Sequence, residues 1–199
     1  MKTSLFGAAA VLVALSAPLA WAQNHQHGSS AAPYAGLETR EIKSLSAQDL
    51  EELRRGGGWG LALPAELNGL PGPAHLLELS DALELSAEQV SAITELFEGM
   101  RDEAIAAGER FIVAEEALSD AFASGGLDEA GLRDLITEAA EARAALRFVH
   151  LSRHLATPEL LTREQIQRYA VLRGYADDPC ANVPDGHNAE MWRRHNGCK

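Results

Sequence analysis

Aromatic side chains make up only 6% of this chain, and positive charge is also scarce, with 17 Lys and Arg against 29 Asp and Glu. The net charge of −12 argues against nucleic acid and anionic membrane surfaces as partners. Beyond the N-terminus, no stretch reaches the roughly 18 apolar residues that a membrane-spanning helix needs. The composition therefore favours a soluble protein with cationic partners, metal ions among them.

Catalytic motifs are absent as well. The sequence contains no G-x-S-x-G, no H-E-x-x-H and no phosphate-binding loop. Few aromatics and long Ala-rich segments suit a scaffold better than a substrate pocket. We therefore predict that the protein is not an enzyme.

Cysteine is limited to Cys180 and Cys198, both within the last twenty residues. In an exported chain, two such cysteines favour a disulfide. The alternative is a soft metal site for Cu(I) or Zn, because imidazole and thioether ligands stand close by in the sequence. Those ligands are His187, Met191 and His195.

The N-terminus does contain an apolar run, from Leu5 to Leu15, preceded by one Lys. Ala20-Trp21-Ala22 follows and fits the small-x-small pattern of a cleavage site. We predict a signal peptide over 1–22 and therefore an exported protein. Cleavage there would leave Gln23-Asn24-His25, whose free amine and imidazole can bind Cu(II) or Ni(II), unless the Gln cyclises.

The mature chain divides by composition into four parts. Residues 23–44 resemble a flexible leader, and 45–72 combine a short helix with a Gly/Pro-rich loop. Residues 73–176 form a helical domain, and 177–199 a loop-like tail with Cys and His. No segment alternates with a period of two, so we predict an all-α fold.

Two apolar seams with steps of three and four residues indicate the main helices. They are separated by Gly125-Gly126, which predicts an elongated helical hairpin. A single hairpin leaves one edge of its seam uncovered, and we therefore expect a homodimer. The first seam is Val90, Ile93, Phe97, Met100, Ala104, Ala107, Phe111, Ala114 and Leu118; the second is Leu132, Leu135, Ala139, Ala142, Leu146 and Val149.

The stretch Leu85-Ser86-x-x-Gln89 returns as Leu161-Thr162-x-x-Gln165. A Ser or Thr at the N-cap accepts from the amide three residues on, and the Gln there reaches back to the N-cap amide. Both copies therefore predict a capping box. Ser46 with Asp49 is a weaker third copy.

Two such copies bracketing a long hairpin resemble the LTxxQ motif of the Spy/CpxP family of bacterial periplasmic proteins. The resemblance covers about residues 73–175. It implies a helical, curved dimer that holds unfolded clients without ATP, or one that represses an envelope-stress sensor. Some relatives bind zinc or nickel and act as metal sensors. This chain differs from the family's chaperone in charge: it is acidic overall, whereas the chaperone's cradle is basic on its concave face.

The leading prediction is therefore an ATP-independent chaperone or stress adaptor that binds unfolded proteins, envelope proteins or a membrane sensor. The alternative is a metal sensor or buffer for Zn, Ni, Co or Cu. His150 and His154, four residues apart on the second helix, form half of such a site. Alternatively, they are two partly exposed histidines near the C-terminus of the helix, where protonated His interacts favourably with the helix dipole. A hairpin folded about Gly125-Gly126 would place Glu103 level with them as the carboxylate ligand.

Overall fold

The computed structural model describes residues 32–181 and 183–198. The chain divides into two compact units, Met1–Ala35 and Gly36–Lys199. In the first unit the described residues form a turn, in which the amide of Ala35 donates to the carbonyl of Ala32 over 2.9 Å. The predicted signal peptide, the predicted site at His25 and the first part of the leader lie outside the described residues.

The described part of the second unit contains α-helices and no strand, which confirms the all-α fold. None of these helices is long and apolar enough to cross a membrane. The helices are α1 (Ala47–Arg54), α2 (Leu63–Glu66), α3 (Pro73–Glu78), α4 (Ala87–Ser124), α5 (Glu129–Ala156), α6 (Arg163–Leu172) and α7 (Ala189–His195).

Helices α4 and α5 form the predicted hairpin, with 38 and 28 residues. Gly125 and Gly126 link them with φ angles of 74° and 78°, a conformation that glycine adopts without strain. Ala104, Ala107 and Leu146 are buried along the seam between the two helices. The hairpin is therefore the framework of the fold.

The buried face of α4 is broader than the predicted seam because α1 packs across it. Gly108 makes this close crossing possible, since a Cβ added there would lie 2.8 Å from the carbonyl oxygen of Leu53. Ile112, also outside the seam, is buried with it. The main core thus joins α1 to the hairpin. It comprises Ile42, Leu45, Leu50, Leu53, Leu61, Met100, Ala104, Ala107, Phe111, Ile112, Leu146 and Val149.

Two boundaries differ from the sequence-based expectation. Packing begins before residue 45, because Ile42 is buried in the main core although it falls in the predicted flexible leader. The tail was expected to be loop-like, yet it contains the short helix α7, capped by Asn188 through the amide of Met191. Both elements are short, and neither shows a repeated apolar period in the sequence.

Candidate functional site

The two motif copies are the N-termini of α4 and α6. Ser86 accepts from the amide of Gln89, and the Gln89 side chain accepts from the amide of Ser86, which makes a complete capping box. Thr162 and Gln165 form the same arrangement. Leu85 and Leu161, which precede the caps, pack against a second core of Leu76, Leu83, Ile93 and Tyr169.

The structure also explains why the motif occurs twice. The side chains of Gln89 and Gln165 lie against each other, and each amide nitrogen donates to the oxygen of the other, over 2.8 and 3.1 Å. Gln89 donates further to the carbonyl of Leu160 over 2.7 Å. Each glutamine therefore caps its own helix and binds the opposite copy. We call this contact the glutamine clasp.

His150 and His154 lie on one face of α5, as predicted, but that face is turned toward the segment that precedes the hairpin. Both are buried. Nδ1 of His154 lies 2.7 Å from the carbonyl oxygen of Leu70, and Nε2 of His150 makes no hydrogen bond within the described residues. Burial lowers the pKa of His150 below its ordinary value of 6.5, and the nearby His154 lowers it further.

Glu103 does not join these histidines. Its carboxylate accepts from Arg153 over 2.6 Å, on another face of the hairpin. Arg153 lies between the two histidines in sequence, so Glu103 is close to their level along the hairpin. The Glu103 side chain, however, points to a different face from the histidines. Among the described residues, no three His, Cys, Asp or Glu side chains come together as a metal-binding group.

The carboxylate that does approach His154 is Glu66, at the end of α2. Its Oε2 lies 3.9 Å from Nδ1 of His154, while Oε1 lies 3.3 Å from Nδ1 of His75. Tyr169 donates to the same Oε1, and its burial, together with Glu66, raises the pKa of Tyr169. Glu66 is only 5% exposed, and Arg173 balances its charge at 3.4 Å.

Glu66, His75 and His154 line a cavity of about 580 Å³ between the segment 52–78 and the hairpin. Its wall combines apolar side chains such as Trp59 and Phe97 with the polar groups Glu66, His150 and His154. A carboxylate and two imidazoles are ligand types that divalent transition metals accept. Glu66, His150 and His154 all line this cavity, although among the described residues they do not come together as a metal-binding group.

In the tail, Cys180 and Cys198 form a disulfide. Both sulfurs are thereby withdrawn from metal binding in this oxidised state. His187 packs edge-on against Trp192, with ring centroids 4.9 Å apart, and Trp192 donates to the carbonyl of Pro179. Met191 is exposed, as is His195.

A second feature lies on the opposite side of the hairpin. Ala106 lies two residues before Gly108. This spacing is a rotation of about 200° round the helix, so Ala106 faces away from α1. Gly99, Ala106 and Val113 follow steps of seven and share one stripe on α4, and Ala142, Ala145 and Ala156 face it from α5. The stripes enclose two shallow depressions of about 430 and 640 Å³. We call this surface the open groove.

Large apolar side chains are exposed on both helices of the hairpin. Phe148 and Leu155 are seven residues apart on α5, about 60° and 80° round the helix from Ala145. They are 71% and 68% exposed, and neither lines the two depressions. Val113, on α4, is 51% exposed. Exposed apolar side chains beside a groove of small residues are candidates for contact with a partner.

The rim of the open groove is acidic. Its two depressions are lined by five carboxylates, against two guanidinium groups, Arg110 and Arg153. Arg153 is already paired with Glu103, so the carboxylates prevail. The five are Glu95, Glu109, Glu138, Glu141 and Glu159.

Comparisons of the chain with protein-family models, with curated proteins and with solved structures find no match. The fold and the local geometry therefore carry the functional argument, and the resemblance to the Spy/CpxP family remains a prediction.

Neither Glu66 nor the open groove was predicted from the sequence. Glu66 stands in a Gly- and Pro-rich stretch with no helical period, and nothing nearby in sequence marks it as buried. The groove left a signal that could have been used. Phe148 and Leu155 lie outside the predicted seam, at a helical spacing of their own.

Proposed function

We propose that the protein is an exported, ATP-independent chaperone or adaptor, which binds apolar segments with positive charge in the open groove. It works in the periplasm on unfolded or envelope proteins, or on a membrane sensor. The resemblance of its motifs to those of the Spy/CpxP family supports this proposal. The glutamine clasp gives the repeated motif a structural role that is consistent with a fold shared with that family.

The exposed apolar side chains carry the proposal. Burying Phe148 or Leu155 against a partner would each contribute about 1.5–3 kcal/mol if the burial were complete. Complete burial is an upper limit on a shallow surface, and binding also immobilises the client. Binding is therefore expected to be weak and reversible, which lets a holding protein release its clients without ATP.

The acidic rim adds a preference among clients. Charged rims direct encounter and selectivity more than they raise affinity. Carboxylates such as Glu138 and Glu141 favour segments that carry Lys or Arg beside their apolar residues. The same rim disfavours acidic segments, so client choice is expected to weaken as salt screens the charges.

The test compares two matched pairs of exposed apolar residues. Phe148→Ser with Leu155→Ser alters the exposed apolar residues of α5 beside the open groove. Leu63→Ser with Leu67→Ser alters exposed leucines at α2 and its C-cap, which are 54% and 60% exposed. Aggregation of a chemically denatured basic protein is followed by light scattering without ATP. We expect the groove variant to lose most of its protection and the α2 variant to keep it. Equal protection by both variants, or no protection by the wild type, would refute the proposal.

A second candidate function is metal sensing in the cavity, favoured by the unsatisfied Nε2 of buried His150 and by Glu66 beside His154. Ligation needs neutral imidazoles, which the lowered pKa of His150 supplies at neutral pH. Zn(II), Ni(II), Co(II) and Cu(II) are titrated by calorimetry into the wild type and into His150→Ala with His154→Ala. Glu103→Gln is the matched control. Binding that survives the histidine changes would remove this candidate.

A further inference from the structure

We propose that the cavity between the segment 52–78 and the hairpin binds an uncharged aromatic molecule that carries a hydroxyl or N–H donor, and that this donor bonds to Nε2 of His154. The cavity is separate from the open groove, so the inference does not depend on the chaperone proposal. It also requires no metal ion.

The surroundings of His154 fix which of its ring nitrogens carries the hydrogen. Nδ1 lies 2.7 Å from the carbonyl oxygen of Leu70, and a carbonyl can only accept, so Nδ1 is the donor. In the neutral ring, Nε2 is therefore a lone-pair acceptor. It makes no hydrogen bond within the described residues, although His154 is only 7% exposed.

The other buried polar side chains of the cavity wall are engaged or enclosed. Oε1 of Glu66 accepts from Tyr169 and Tyr175, whereas its Oε2 is fully buried without a partner. Nε2 of His150 is fully buried as well. Nε2 of His154 is not enclosed in this way, so it is the buried acceptor that a molecule in the cavity can reach.

The exposed charges of the cavity wall balance one another. Besides Glu66, the wall carries two carboxylates and two guanidinium groups. Arg55 bonds to Glu52, while Arg101 and Glu78 are exposed to solvent. These fixed charges therefore attract neither an anion nor a cation into the cavity.

The charge of Glu66 is offset by its own partners. Nε of Arg173 lies 3.4 Å from Oε1 of Glu66. Nδ1 of His75 lies 3.3 Å from the same oxygen, and Nε2 of His75 lies 3.4 Å from a terminal nitrogen of Arg173, so both ring nitrogens of His75 are engaged. The cavity therefore favours an uncharged ligand with a single donor.

Trp59 and Phe97 supply aromatic surface to the cavity wall, and the Trp59 side chain is already held in place. Its Nε1 donates to Asp49 over 2.8 Å, its ring lies 5.6 Å from that of Phe111, and Arg143 lies 5.5 Å from its ring centroid. A preformed wall lowers the cost of ordering on binding. A mostly apolar wall with few polar groups is typical of small-molecule sites.

Two ligands that differ only in the donor test the inference. The first is 2-naphthol, and the second is 2-methoxynaphthalene, in which a methyl group replaces the hydroxyl hydrogen. Binding to the full-length protein is measured by equilibrium dialysis with a chelator at about pH 8, where histidine is ordinarily neutral. We expect the wild type to bind 2-naphthol roughly three- to tenfold more tightly, as one hydrogen bond allows. Hydrophobicity alone predicts the opposite order, because the added methyl group is apolar.

His154→Asn removes the acceptor at Nε2, while its side-chain amide can still donate to the carbonyl of Leu70. We expect this variant to bind 2-methoxynaphthalene at least as tightly as 2-naphthol. His187→Asn, at an exposed histidine of the tail, is the matched control and should keep the wild-type order. Thermal unfolding verifies that the variants are folded, and His154→Phe, which keeps a planar ring, replaces the Asn variant if that one is not.

Each part of the inference has an outcome that would overturn it. A wild type that binds neither ligand would remove the cavity as a binding site. Equal binding of the two ligands by the wild type, or tighter binding of 2-methoxynaphthalene, would remove the role of the donor, and this comparison needs no variant. A preference for 2-naphthol that survives the change at His154 would remove the assignment of Nε2 as the acceptor.

Discussion

The two sides of the helical hairpin are built from similar residues, but one side is covered by α1 and the other is exposed to solvent. On one side, Gly108 lets α1 approach closely, and Leu53 of α1 is buried with Ile112 of α4 in the main core. On the other side, Ala106 and Gly99 form a shallow floor, and Phe148 and Leu155 remain in solvent. The first side stabilises the fold, and the second is free to bind.

The difference shows that apolar residues on one hairpin can serve different purposes. The covered side is packed by a segment of the same chain, so its contribution appears in the stability of the monomer. The exposed apolar residues of the open side contribute nothing to the stability of the monomer until a partner buries them. Stability measurements and binding measurements should therefore respond to different substitutions.

The largest expected effect is on the covered side. Leu53→Ala removes a side chain that is 1% exposed, and we expect a loss of about 2–5 kcal/mol in the free energy of unfolding. Leu155→Ala, the matched change on the open side, should stay within about 0.5 kcal/mol. Urea unfolding followed by circular dichroism measures both. Similar losses in the two variants would remove the distinction between the sides.

A smaller effect concerns His150 on the covered side. Because burial lowers its pKa below 6.5, the folded protein keeps it neutral while the unfolded chain takes up a proton. Stability should therefore fall as pH drops below about 6.5, by at most about 1.4 kcal/mol per pH unit for this one group, until the lowered pKa is passed.

His150→Gln should lose this part of the pH dependence, measured by urea unfolding with a chelator present. Glu52 and the backbone of Gly57 act in the opposite direction, but they do not reverse the shift. His187→Gln, in the tail, serves as the control. An unchanged pH profile in the His150 variant would show that another group causes the acid sensitivity.

The smallest expected effect is in the glutamine clasp, which joins both ends of the hairpin. Gln89→Ala and Gln165→Ala should each cost about 1 kcal/mol. Because the two amides bond to each other, the double variant should lose less than the sum, with a coupling of about 0.5–1 kcal/mol. A double-mutant cycle in urea measures it, and strict additivity would argue against the contact.

The capping hydroxyls provide a comparison for the clasp. Ser86→Ala and Thr162→Ala remove one cap each, at about 1 kcal/mol apiece. The two hydroxyls bond only within their own helix ends, so these losses should add. Coupling as large as that of the glutamines would mean that the two helix ends interact through something other than the clasp.

Much of the fold could be predicted because its signals are local. The hairpin follows from steps of three and four residues and from Gly125-Gly126, and the capping boxes need only four neighbouring residues each. The clasp was harder, because the motif spacing does not reveal that Gln89 and Gln165 meet across 76 residues.

The candidate sites depended on packing that sequence does not encode locally. The side of α5 that faces inward is decided by the segment 42–78, whose Gly and Pro residues leave no period to read. That segment buries His150 and brings Glu66 to His154, and Glu103 is left to Arg153. The two predicted histidines therefore share one face of α5, whereas Glu103, the predicted carboxylate ligand, lies on another face of the hairpin.

The most direct test of the account is a cross-linking measurement that asks which side of the hairpin a client touches. A photo-reactive phenylalanine analogue replaces Val113 in the open groove or Leu67 on the covered side, two positions of similar exposure. After irradiation with a basic, amphipathic peptide, we predict a cross-linked product from position 113 and almost none from position 67. Equal products, or a product from position 67 alone, would contradict the assignment of binding to the open groove.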